Sequence, residues 1–139
     1  MKDLKFEKRI QDGEFWFLEE TYSIELPHEF KDFMQIYGNS TTIERVYIQG
    51  NRQEWIIRSF CMYKTMHEFV GEFLDNKLGI KVPFGFDLSG WIFCLSLDEQ
   101  DYYSVYIYRF TDHLPEDAFI KIADNFEDFI NALVPEEEI

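Results

Sequence analysis

A chain of 139 residues that is 46% hydrophobic and 19% aromatic has the length and apolar content for one domain with its own core, which excludes a disordered polymer and removes any need for metal or disulfide support. Its 27 acidic and 13 basic side chains leave a formal charge of -14. That field repels nucleic-acid phosphates and anionic lipid headgroups and attracts a basic partner over about 8 Å at physiological ionic strength, although an acidic balance also serves simply to keep a protein dispersed.

The opening MKDLKFEKRIQD lacks the continuous apolar segment of a signal peptide, and no run approaches the ~18 apolar residues of a membrane span, so the expected location is the cytoplasm. Phe15, Leu18 and Tyr22 of EFWFLEETY recur at helical spacing with Glu14, Glu19 and Glu20 facing away, while Trp16 and Phe17 widen the stripe. A second helix follows in LPHEFKDFMQIYGNS. Pro27 stands at its start, Phe30, Phe33, Met34 and Tyr37 form its apolar face, and Gly38 is expected to end it in the left-handed conformation.

TTIERVYIQ and QEWIIRSF are rich in β-branched and aromatic residues and are separated by QGN, the pattern of paired antiparallel strands. Helical spacing returns in TMHEFVGEFLDNKLG through Met66, Phe69, Val70, Phe73 and Leu74, with Gly79 as the expected stop. VPFGFDLSGW, residues 82–91, is then either a ligand-cradling loop or an elaborate turn. WIFCLSL and SVYIYRF look like neighbouring strands joined by DEQDYY, a connection acidic enough to lie in solvent.

FIKI is one more short strand, and ADNFEDFINAL closes the chain with a helix whose stripe is Phe126, Phe129, Ile130 and Leu133, capped by Asp124 or Asn125. PEEEI, residues 135–139, is a solvated acidic tail. With no repeat, no linker and no regular βαβ alternation, residues 1–139 are expected to form a single α+β domain, a mainly antiparallel sheet packed with about four helices.

Chemistry-bearing motifs are scarce. His28, His67 and His113 are far apart and belong to no zinc pattern, and Asp112 beside His113 makes no dyad, because adjacent side chains point in different directions. No GxSxG elbow is present, and Cys61 and Cys94, outside any CxxC, read as packed reduced thiols. Gly85 and Gly90 complete neither GxGxxG nor GxxxxGK, and the DEQD carboxylates Asp98, Glu99 and Asp101 lack the spacing of a calcium loop. No catalytic residue, metal or cofactor is therefore assigned, and an enzyme would require carboxylates and histidines that converge only on folding.

Three segments, taken in order, resemble the SUKH superfamily, which includes Smi/Knr-type cell-wall synthesis regulators and bacterial toxin-immunity proteins. IELPHEFKDFMQIYGN, with Leu26 and Pro27, is similar to its leucine-proline helix start, with the closing asparagine-glycine turn reversed as Gly38-Asn39. VPFGFDLSGWIFCLSL, with Pro83, Phe84, Gly85, Asp87 and Gly90, resembles its proline-phenylalanine-glycine segment, and IADNFEDFINAL, with Phe126 and Phe129, its closing helix, Asn125 replacing a serine. The resemblance implies a structural role for the middle motif, with Pro83, Gly85, Asp87 and Gly90 shaping the approach to a core strand and Asp87 accepting backbone N–H bonds.

It also implies a non-catalytic immunity protein of a polymorphic toxin system, binding and neutralising a cognate toxin, a basic nuclease for example, by acidic-surface occlusion. The alternative is a regulatory or scaffold protein-interaction domain of the Smi/Knr type. Asp98, Glu99 and Asp101, with the aromatic neighbours Tyr102 and Tyr103, are the candidate partner-binding residues, because charge steers encounter while aromatics anchor.

Overall fold

The computed structural model describes residues 10–38, 41–48, 54–109 and 118–135. Helices α1 (Asp12–Tyr22) and α2 (His28–Tyr37) precede strands β1 (Thr41–Ile48) and β2 (Glu54–Phe60), and α3 (Tyr63–Asp75) leads to β3 (Lys81–Asp87) and β4 (Ile92–Ser96). A 3-10 turn at Glu99–Asp101, β5 (Val105–Tyr108), β6 (Phe119–Ala123), α4 (Phe126–Asn131) and the two-residue β7 (Val134–Pro135) complete the order. The strands form one sheet, β6-β5-β4-β3-β2-β1-β7, with every pairing antiparallel. The α+β fold expected from the sequence is thus observed, with β7 added at an edge where only a tail was expected.

Both apolar sides of the sheet are covered. Phe93 and Leu95 of β4 face one way, where Phe84, Phe30 of α2 and Phe126 and Phe129 of α4 form the centre of the main core. Ile92 and Cys94 alternate to the other side and pack with Phe73 of α3, whose ring meets Tyr108 and Phe119 edge-on. Asn125 caps α4, its side-chain oxygen accepting the Asp128 N–H at 2.8 Å.

The motif around Pro83 departs from expectation. Pro83 and Gly85 do not shape the approach to a core strand; they lie inside β3, a central strand between β2 and β4. Proline is tolerated there because the register slips at this point: Pro83 pairs with Cys94 and Gly85 with Phe93, so Phe84 is the extra residue of a β-bulge. The bulge turns Phe84 into the helix-covered core. Gly85 then has to be glycine, since a Cβ would come within 2.7 Å of Ile57 Cδ1 and 3.1 Å of the Ser59 carbonyl on β2. Only 87–90 is a turn: Asp87 Oδ1 accepts the N–H groups of Ser89 and Trp91, each at 2.9 Å, and Gly90 supplies a φ of +89°.

The ends of α2 and α3 also differ from expectation. Gly38 closes α2 with φ -57° rather than in the left-handed region, and its value is space, because a Cβ would approach the Met34 carbonyl to 2.6 Å and Ile10 Cδ1 to 2.7 Å. The left-handed positions fall instead on Ser23 after α1 and Lys77 after α3. At Lys77 the hydrogen bonds Leu78 N–H to Phe73 carbonyl and Lys77 N–H to Leu74 carbonyl close a Schellman motif, so α3 stops at Asp75, before the expected Gly79.

Candidate functional site

The β4–β5 connection carries the five residues expected to meet a partner. Two of its carboxylates turn inward. Asp98 accepts the Lys81 ammonium at 2.7 Å through Oδ2 and the Ile80 N–H at 2.9 Å through Oδ1. Asp101 accepts the Ser96 hydroxyl at 2.7 Å through Oδ1 and the Tyr106 hydroxyl through Oδ2. Tyr103, held at φ +77°, donates its hydroxyl to Glu127 of α4 at 2.5 Å. Glu99 and Tyr102 remain exposed, Tyr102 with about half of its surface, 53%, in solvent.

The inward network sets the titration of its members. Burial raises the Tyr106 hydroxyl to about 12, assisted by its hydrogen bond and proximity to Asp101. For Asp101 burial works the other way from its partners, but the hydroxyls of Tyr106 and Ser96 and the charges of Lys81 and Lys121 outweigh it and hold the carboxyl below its usual range. A carboxylate easier to ionise in the folded state stabilises the fold above the ordinary value of about 3.9 and loses that contribution as pH falls through its lower folded value. Asp101→Asn is therefore expected to cost about 1–2 kcal/mol at neutral pH, reduced from buried values because the group is partly solvated, and progressively less below about pH 3. Urea denaturation of both proteins across that range measures the difference; a cost independent of pH would remove the charge from the explanation.

A second surface feature was not singled out from the sequence. Helices α1 and α2 are tied at two places: Gln35 donates to Asp12, and Lys31 pairs with Glu19 at 3.3 Å, while Glu19 also accepts the Leu26 N–H at 2.8 Å. Between the ties runs an open groove of about 330 Å³ lined by Phe15, Trp16, His28 and Asp32 as well as the tying residues. Trp16 is 62% exposed, and Phe17 beside it stacks on His67 of α3 with ring centroids 5.3 Å apart. The available signal was the pair Trp16-Phe17, which exceeds the stripe a single buried helix face needs.

The two described histidines sit in different places. His67 lies under Phe17 with Nδ1 3.4 Å from the Tyr22 hydroxyl, His28 lines the groove, and His113 and Asp112 lie outside the described residues. Among the described residues no three His, Cys, Asp or Glu side chains are grouped to hold a metal ion, and no helix is long and apolar enough to cross a membrane. Cys61 and Cys94 are separate, buried thiols, and burial pushes both up.

The residues of the three quoted segments lie in the core, in the bulge, in the turn and at the start of α2. Leu26, Phe84, Phe126 and Phe129 are buried in the main core, Pro83 and Gly85 build the bulge, Asp87 and Gly90 build the turn, and Pro27 precedes α2 as its N-cap. No curated protein matches the chain. The SUKH_6 family, described as SMI1-KNR4 cell-wall, matches residues 12–130, from the first residue of α1 almost to the end of α4. With most of the chain matched and its three segments placed in the core of an α+β sheet, the protein belongs to the SUKH superfamily.

Proposed function

We propose that this protein is a non-catalytic immunity protein, acting in the cytoplasm, that binds a basic cognate toxin and blocks it by occlusion. The observation that carries the proposal is the formal charge of -14 on a domain whose quoted motif residues are spent on the core, the bulge and the turn. An acidic face speeds encounter with a basic protein such as a nuclease, whose own field must attract phosphate, and obstructs the substrate's approach. On the β4–β5 connection the contact residues are Glu99 and Tyr102, with Asp98, Asp101 and Tyr103 fixing the backbone beneath them.

The experiment is co-expression with toxins encoded beside the gene. Protection of the cell and a salt-sensitive complex with one of them is the expected result; failure to protect against or bind any neighbouring toxin overturns the proposal. The SMI1-KNR4 cell-wall description favours a second function, a regulatory or scaffold domain that engages a cellular protein. For that function the gene stands apart from toxins, and affinity purification with mass spectrometry returns a cell-wall or metabolic protein.

A further inference from the structure

We propose that the α1–α2 groove is a receptor for one arginine or lysine side chain of the protein partner, with Trp16 as the aromatic plate and Asp32 as the carboxylate. The inference rests on the protein-binding function above and assigns it a place. A tryptophan 62% exposed on a folded domain leaves a large apolar face in water, and a cation above that face is attracted to the ring's negative quadrupole. Among the described residues, the carboxylates Asp12, Glu19 and Asp32 line the groove together with one ammonium, Lys31. That ammonium is already paired with Glu19, so it does not offset Asp32, which is exposed and takes no ion pair among the described residues.

The groove is also preorganised. The Gln35–Asp12 hydrogen bond and the Lys31–Glu19 pair fix the spacing of the two helices on either side of Trp16, and buried Phe15 forms the floor. An apolar stem lies along Phe15 and the indole while its charged head reaches Asp32. A phosphate or carboxylate ligand meets the wrong sign of field here. His28, the first residue of α2, also lines the groove.

The test uses isotope-labelled full-length protein and triarginine as the probe at low ionic strength, with triglutamate as the control, read by amide NMR. Saturable shifts clustered in residues 12–19 and 28–35, absent with triglutamate, are expected, and Trp16→Ala and Asp32→Asn should each weaken the affinity about fivefold while Glu72→Gln, exposed on α3 outside the groove lining, leaves it unchanged. Absence of binding, shifts centred on residues 98–103 or scattered over the surface, or wild-type affinity in either groove variant would overturn the assignment. A cognate toxin captured equally well by Trp16→Ala and Asp32→Asn sinks the groove and spares the immunity function. Triarginine seated in the groove of a protein that neutralises no neighbouring toxin does the reverse.

Discussion

Phe84→Ala is expected to lower the free energy of unfolding by about 3–5 kcal/mol, a large share of the 5–15 kcal/mol that holds a domain of this kind together. The ring has no exposed surface and meets four others: Phe30, Phe93, Phe126 and Phe129, with centroid separations of 6.1, 6.1, 5.1 and 5.8 Å. Those partners come from α2, β4 and α4, so the truncation loosens three elements at once. Collapse around the vacancy is restricted because the backbone of Phe84 is pinned in the bulge between paired Pro83 and Gly85, and its carbonyl accepts the Cys61 N–H at 2.9 Å. Removal of the ring therefore loses both its transfer energy and the contacts of the surrounding rings. Phe17→Ala, on the exposed side of α1, is expected to cost under about 1 kcal/mol. Urea denaturation of the two variants compares them directly; a loss below about 1 kcal/mol for Phe84→Ala would show that the core is not centred on the bulge.

The same bulge explains what local pattern could not disclose. Helices α1 to α4 and the strand pairs β1–β2 and β4–β5 follow from periodicity, which depends only on neighbours in sequence. A proline and a glycine within five residues argue against a central strand by the same local rules, and only the partner strands reveal why both are accepted. Asp98 and Asp101 read as solvated because the cations and hydroxyls that hold them, Lys81 and Tyr106 among them, sit on other strands. Lys77 takes the left-handed end of α3 that Gly79 is expected to supply, because capping hydrogen bonds at that turn outweigh the modest cost of a Cβ there.

Surface chemistry was legible in sign but not in place. The composition gives an acidic field, whereas which carboxylates face solvent depends on tertiary pairing: of the acidic trio on the β4–β5 connection only Glu99 is exposed. Trp16 is the converse case. Its position at the edge of an apolar stripe suits the core as well as the surface, and the decision is made by α2, whose ties to Asp12 and Glu19 leave the indole outside.

Removal of the Lys81 ammonium is the second large effect expected. The residue is 7% exposed; Nζ lies 2.7 Å from Asp98 Oδ2 and 3.2 Å from the Leu78 carbonyl, and 5.1 and 5.5 Å from the ring centroids of Phe119 and Tyr106. Lys81→Met keeps most of the stem's packing but leaves Asp98 with the Ile80 N–H alone and withdraws the charge that also favours ionised Asp101. Breaking one partner of a buried pair costs about 3–5 kcal/mol, and the partial exposure of Asp98 places the expected loss near 2–3 kcal/mol. Asp98→Asn in the Lys81→Met background removes the stranded charge while retaining an acceptor for Ile80, so the double variant should recover about half of that loss. The four proteins form a double-mutant cycle in urea. A double variant no more stable than Lys81→Met would assign the cost to packing of the lysine stem against Phe119 and Tyr106, and would leave the inward turn of the β4–β5 connection without an electrostatic cause.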